Sequence, residues 1–227
     1  MAESPTAMGV REALEARRSV RGFLETPVPQ ATLQGIFEAA QRAPSWCNIQ
    51  PWRVWVTSGA ATERLREALV SAASAEAPSP EFAWPQDYPE PYGQHRRECG
   101  KALYSAMGVA RTDTAGRQDA WLRNYKAFDA PHVAMVAIDR RFDFYAGLDL
   151  GCWLQSLMLA AIEAGVSTCS AASLATHPAA VRSVLAIPEG LGLVLGVAMG
   201  YEDAAVAANA CRTRRSALSD NITFVGE

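Results

Sequence analysis

His132-Val133-Ala134-Met135-Val136-Ala137-Ile138-Asp139 is an apolar run closed by an aspartate. It is short, rich in β-branched residues and without polar alternation, so it reads as a strand with both faces buried. Leu193-Val194-Leu195-Gly196-Val197-Ala198-Met199 has the same character, and residues 52–57 form a third, more polar run. Residues 150–164 carry a different period. There Leu150, Trp153, Leu154, Leu157, Met158, Ala161 and Ile162 make an apolar stripe too wide for a surface helix, and Gly165 suits a left-handed cap behind it. Such a helix belongs in the centre of the fold.

Other helices follow from the same spacing. Leu33, Ile36, Phe37 and Ala40 recur behind Thr26-Pro27-Val28-Pro29; Leu65, Ala68, Leu69 and Ala72 recur behind Thr62 as cap; Val181, Val184 and Leu185 follow His177-Pro178. A short helix gathers Val10, Ala13 and Leu14. Strands and helices interleave without a regular strand-helix-strand rhythm, which predicts an α+β fold, a central mixed β-sheet surrounded by helices.

A chain of 227 residues suits a single domain, residues 1–227. The net charge of −3 gives no positive field for nucleic acid. The apolar stretch 191–199 is broken by glycines and falls short of the roughly 20 residues of a membrane span, so no membrane partner is expected. Residues 1–10 lack the pattern of a secretory signal, and a cytoplasmic protein is the expectation. Cys47, Cys99, Cys152, Cys169 and Cys211 are odd in number and widely spaced, which predicts reduced thiols and no zinc site. His95, His132 and His177 show no metal or triad signature.

Residues 78–92 interrupt this pattern with Pro78, Pro80, Pro85, Pro89 and Pro91 interleaved with Phe82, Trp84, Tyr88 and Tyr92. The prolines block helix interiors and central strands, so the segment reads as a long excursion. It is either a lid that walls a site with aromatic faces or a loop docked on its own subunit.

Three clusters bear on chemistry. Arg17-Arg18-Ser19-Val20-Arg21 and Arg212-Thr213-Arg214-Arg215 are basic groups near opposite ends of an acidic chain. Each alone reads as a solvated face, but together they suit one anion, because guanidinium forks bind phosphate bidentately. Between helix and strand lies Pro44-Ser45-Trp46-Cys47-Asn48-Ile49-Gln50-Pro51-Trp52, a stiff polar loop or simply a turn.

Taken in order, Arg-Arg-Ser-x-Arg, Pro-Ser-x-x-Asn-x-Gln-Pro-Trp, Gly-Val-x-Thr-Cys from Gly165 and Gly-Tyr-Glu-Asp from Gly200 resemble the FMN-dependent nitroreductase family, most of all its nitroaromatic-reducing branch. The resemblance runs from Arg11 to about Phe224. It implies a nitroreductase-like fold, an intertwined homodimer, FMN at the subunit interface and NAD(P)H as electron donor. It also implies ping-pong reduction of a nitroaromatic compound by two-electron hydride transfer through flavin N5. Arg17, Arg18 and Ser19 would meet the phosphate and ribityl chain, Arg21 the flavin edge, and Arg212 and Arg215 the phosphate. Pro44, Ser45 and Asn48 would come from the other subunit, with Trp46 bordering the substrate. Ser170, Ala171 and Ala172 match the segment whose backbone N–H faces flavin N5, although Ser170 stands where proline is common in the family. Asn124 fits a contact to the flavin edge or a plain helix-end asparagine. No side chain is implied as catalytic acid, base or nucleophile. A different flavin reductase, a reductive dehalogenase or a non-catalytic flavin-binding module would share these residues.

Overall fold

In a computed structural model, which describes residues 8–226, the chain builds a four-stranded sheet between two helical layers. The strands are β1 (Arg53–Ser58), β2 (His132–Asp139), β3 (Ser167–Ala171) and β4 (Leu191–Gly200), in the spatial order β1-β2-β4-β3. The helices are α1 (Val10–Ala16), α2 (Gln30–Ala40), α3 (Ala60–Ala75), α4 (Tyr92–Ala106), α5 (Thr114–Tyr125), α6 (Phe144–Glu163), α7 (Pro178–Val184) and α8 (Leu218–Asn221).

The alternation of side chains along β2 divides the core in two. Val133, Met135 and Ala137 join Leu65 and Leu69 of α3, Tyr125 of α5 and Val181 of α7. Ala134, Val136 and Ile138 join Leu33 and Ile36 of α2 and Leu150, Trp153 and Leu157 of α6. Both faces are therefore covered, which is why the strand shows no polar alternation. Trp153 lies between Phe37 and Trp52, with ring centroids 6.4 and 6.1 Å away.

The sheet corrects the expectation of mixed pairing. The named strands pair only antiparallel, and the parallel pairing is confined to an isolated bridge, Ser19 to Thr168. The sequence hid β3, because Ser-Thr-Cys-Ser-Ala is short and lacks the branched apolar residues that mark a strand. It also hid α4, which is largely exposed and polar, and α5, whose apolar residues Trp121, Leu122 and Tyr125 crowd its C-terminal end and leave the rest polar. Thr62 is not a cap: α3 starts at Ala60, and the Thr62 hydroxyl lies 2.9 Å from that of Thr57 and 3.1 Å from the Pro131 carbonyl, inside the core. Gly165 does take the left-handed conformation, φ +72°, behind α6.

Helix α6 begins six residues before the apolar stripe suggested. Among the described residues it is the one helix long and apolar enough, by length and composition alone, to cross a membrane. Trp153, Leu157 and Ala161 are buried in the core. Residues 1–7, on which most of the N-terminal reading rests, lie outside the described residues.

The start of the excursion is docked on its own subunit. The Ser79 N–H donates to the Thr176 carbonyl at 2.8 Å, and the Phe82 ring occupies the space that a side chain on Gly192 would need. Glu81, its side chain 9% exposed, accepts from the Leu193 N–H at 2.6 Å, from Arg182 at 3.0 Å and from Arg140. Burial raises the Glu81 pKa, but these donors outweigh it and hold the carboxyl below its ordinary 4.5. Trp84, Tyr88 and Tyr92 remain exposed.

Glu81→Ala leaves the Leu193 amide without its acceptor and Arg182 without its carboxylate, though still bonded to the Ile187 and Leu191 carbonyls, and should cost about 3 kcal/mol, a fall of roughly 6–12 °C in melting temperature. A calorimetric scan checks this. His132 gives a second expectation. Its Nε2 accepts the Val28 N–H at 2.9 Å, so that nitrogen is unprotonated, and Nδ1 lies 2.7 Å from the Ser58 hydroxyl. Burial depresses its pKa below 6.5, against a smaller opposing pull from Thr57. The unfolded chain therefore binds the proton first, and this contribution is complete above pH 6.5 and lost as pH falls toward the lower folded value. Urea midpoints should fall across that window in the native protein and much less in His132→Gln.

Candidate functional site

After α1 the chain runs extended beside the sheet, from Arg17 to Leu24. The Val20 N–H donates to the Thr168 carbonyl at 3.0 Å, the Leu24 N–H to Tyr201 at 2.9 Å, and the Asp203 N–H to Gly22 at 3.0 Å. Gly22 is required here: a Cβ would sit 2.5 Å from Val206, so only glycine lets the two segments close. Helix α1 places Ala13 inside but leaves Val10 and Leu14 exposed, so the expected apolar gathering of those three does not form within one chain.

Asn209 joins the basic clusters. Its Oδ1 accepts the Arg21 N–H at 2.6 Å and its Nδ2 donates to the Gly22 and Asp203 carbonyls, both at 2.9 Å. Its own carbonyl accepts from Arg212 at 2.7 Å. Arg123 of α5 adds a further cation, donating to the Arg21 carbonyl at 3.1 Å and pairing with Asp129 at 3.0 Å. Asp129 is held there by a turn, Ala127–Asp129, in which all three residues have positive φ.

The guanidinium groups differ in what occupies them. Arg18 is paired with Glu202 and Arg123 with Asp129. The Arg17 side chain has no hydrogen-bond partner among the described residues, and the Arg21 side chain reaches only the Ser19 carbonyl, at 3.3 Å. Arg17, Arg21 and Arg212 thus keep uncompensated charge near the β3 edge. Arg215 contacts only Thr213 and Arg214, out on the exposed tail, so the structure does not bring it to the cluster.

Ser170 and Ala171 end β3 opposite Val197 and Gly196, and Ala172 begins the next turn. The Arg21 guanidinium and Ser19 lie close enough to the neighbouring Cys169 to pull on its thiol, although burial prevails and pushes the Cys169 pKa up to about 11. That thiol is inert as a nucleophile. Asn124 donates its amide to the Ala120 and Trp121 carbonyls at 3.3 and 2.8 Å, so in this chain it terminates α5.

The 44–50 loop lies elsewhere. Cys47, Asn48 and Gln50 all have positive φ, +46°, +57° and +46°. For residues other than glycine this costs about 1–2 kcal/mol each, and strain of this kind gathers at functional sites. Ser45 closes the loop by accepting the Gln50 N–H on its hydroxyl at 3.0 Å. Pro44, Asn48 and Trp46 are exposed, Trp46 to 61%. The Trp46 N–H donates to Asp149 Oδ1 at 3.0 Å, and its ring lies 5.1 Å from that of Tyr145.

Asp149 sits early in α6, whereas Thr168, which carries the arginine segment, follows its end. The fourteen steps from Asp149 to Glu163 span roughly 20 Å of helix. Within one chain, then, the loop and the cations are set well apart. The guanidinium groups of Arg17, Arg21 and Arg212, without carboxylate partners among the described residues, form a donor set suited to a phosphorylated ligand.

Asn209, Arg123 and Asp149 escaped the sequence reading. Asn209 had one weak signal, a lone amide within an alanine run from Ala207 to Ala210. Arg123 and Asp149 had none.

A family model described as the nitroreductase family matches residues 14–201. The chain is 36% identical over 219 residues to nitroreductase NfnB of Mycolicibacterium smegmatis, covering 96% of this chain and 93% of that protein. It is 34% identical over 226 residues to the chloronitrobenzene nitroreductase of Comamonas testosteroni, covering 98% and 100%. Among solved structures, the FMN-dependent nitroreductase NfnB from Mycobacterium smegmatis in complex with NADPH superposes with a TM-score of 0.92 at 35% identity, covering 95% of this chain and 97% of that one. The FMN and NADPH-dependent NfnB from Sphigopyxis sp. strain HMH gives 0.92 at 35% identity, covering 96% and 100%. With these motifs in order along its length and this fold around them, the chain belongs to the nitroreductase family.

Proposed function

We propose that the protein is an FMN-dependent oxidoreductase that uses NAD(P)H to reduce nitroaromatic compounds, working as a homodimer. The observation that carries this reading is the knot around Asn209, which collects the uncompensated cations Arg21 and Arg212 at the β3 edge, with the Arg21 guanidinium near Cys169. Relatives of similar length that reduce nitroarenes support the choice of acceptor.

FMN, when bound, supplies the two-electron carrier between NAD(P)H and the nitro group, so the chain needs no nucleophile of its own. Its residues bind and tune. Arg17 and Arg212, with Ser19, take the phosphate and the ribityl chain, whereas Arg18 stays paired with Glu202 and Arg215 lies out on the tail. Arg21 holds positive charge where negative charge develops on the ring edge, the electrostatic condition for accepting electrons. A backbone N–H among residues 170–172 fixes the ring. Asn124 would have to release its helix carbonyls to reach the ring edge.

Pro44, Ser45, Asn48 and Trp46 complete the site from the partner subunit. The length of α6 between loop and cations supports that division. So do the exposed apolar residues Val10 and Leu14 on α1 and Phe144, Tyr145 and Leu148 on α6, which a single chain leaves in water. Trp46 stacks on the flat acceptor.

The purified protein should be yellow and dimeric by sedimentation, bleach with NADPH under anaerobic conditions and regain its colour with nitrobenzene. A colourless protein that takes up no FMN would overturn the reading. Arg17→Ala should weaken FMN roughly 10- to 100-fold, the equivalent of about 1.5–3 kcal/mol for a charged contact, and leave riboflavin, which lacks the phosphate, nearly unaffected. Asn209→Ala, which frees Arg21 as well as Arg212, should weaken both. Flavin titrations followed by tryptophan fluorescence distinguish these outcomes.

A further inference from the structure

We propose that Asp149 is a positioning residue for this site: its carboxylate anchors the strained 44–50 loop to α6 and so fixes where Trp46 stands against the acceptor. The consequence for catalysis rests on the reading above; the anchor itself does not.

Asp149 is 6% exposed, and the other buried residues of α6 are Ala146, Leu150, Trp153, Leu157 and Ala161, all apolar in body. No cation pairs with it among the described residues. One carboxylate oxygen accepts the Trp46 N–H at 3.0 Å, and the other has no partner among the described residues. A carboxylate so placed is costly, and an apolar side chain would suit the surrounding packing better. Its single visible task is to receive that amide.

The task matters because of how the loop is held. The bonds from Asn48 N–H to the Ser45 carbonyl, from Ile49 N–H to Trp46, from Gln50 N–H to the Ser45 hydroxyl and from the Gln50 side chain to the Asn48 carbonyl all close the loop on itself. They set its shape and leave its place undetermined. Its polar links outward are the Asp149 bond at Trp46 and the bond from Arg53 to the Gln50 carbonyl, at 3.2 Å, where the loop leaves. Asp149 therefore secures the end that carries Trp46, just before the left-handed residues Cys47 and Asn48. Tyr145, one helical turn earlier, meets the Trp46 ring. Positions i and i+4 of one helix thus hold the ring and the backbone of a single residue. Trp46 sets the width of the slot for a flat acceptor, so its displacement weakens acceptor binding more than turnover.

The test compares Asp149→Leu with Asp149→Asn by hydrogen exchange of the cofactor-free protein and by steady-state kinetics with nitrobenzene. The leucine variant should keep its melting temperature to within a few degrees, exchange the amides of residues 45–50 about tenfold faster with the rest of the chain unchanged, and raise KM several-fold at nearly constant kcat. Asparagine, which retains an oxygen for the Trp46 amide, should restore protection and KM to within about twofold. Unchanged exchange in the leucine variant, no rescue by asparagine, or protection lost throughout the chain would each overturn the proposal. Should leucine prevent folding, Asp149→Ala is read by the same criteria. If the wild-type protein binds no FMN, the function fails with its kinetic arm, and exchange still decides the anchor.

Discussion

Strand β2 buries both of its faces, and the rest of the molecule is arranged to make that possible. Its odd-numbered residues from Val133 to Ala137 need α3, α5 and α7 on one side; its even-numbered residues from Ala134 to Ile138 need α2 and α6 on the other. A ladder of backbone hydrogen bonds to β1 and β4 satisfies the polar groups that this burial removes from water. Helix α6, long and apolar because it roofs this sheet, also separates the 44–50 loop from the cations at the β3 edge, the two halves of the proposed site.

The two halves are held by different means. At the β3 edge the cations are collected by backbone contacts and a single buried amide, Asn209, so the position of Arg21 depends on main-chain geometry rather than on ion pairing. That leaves its guanidinium charge available. Arg18, tied to Glu202, has far less to offer an anion than its place in the motif suggests. At the other end of α6 the loop stores backbone strain and is kept in place by few contacts, which makes those contacts worth more than their number implies. Strain in the loop and uncompensated charge at the edge are both unfavourable for one chain in isolation. Both are relieved if a bound anion and a second subunit complete the site.

The excursion divides into a docked part and an exposed part. Its first residues are fixed to the subunit by Glu81 and Phe82, whereas Trp84, Tyr88 and Tyr92 project into solvent. The docked-loop reading thus holds for the first residues of the excursion, and the Tyr88 ring carries Arg96 at 5.2 Å.

The sequence by itself determined the elements that burial writes into composition: β2 and β4 through apolar runs without polar alternation, α6 through its wide stripe, and the left-handed Gly165 that ends it. It also displayed the arginine motif and the loop, since both are contiguous in the chain. It could not show β3 or α4, whose side chains are mostly small or polar, or α5, whose apolar residues are confined to its C-terminal end. Nor could it show that Asn209, Arg123 and Asp149 meet residues about a hundred or more positions away, Arg21 in the first two cases and Trp46 in the third. Periodicity reports what a residue's own element buries, whereas those contacts arise from how separate elements cross in space. Only the tertiary structure decides that.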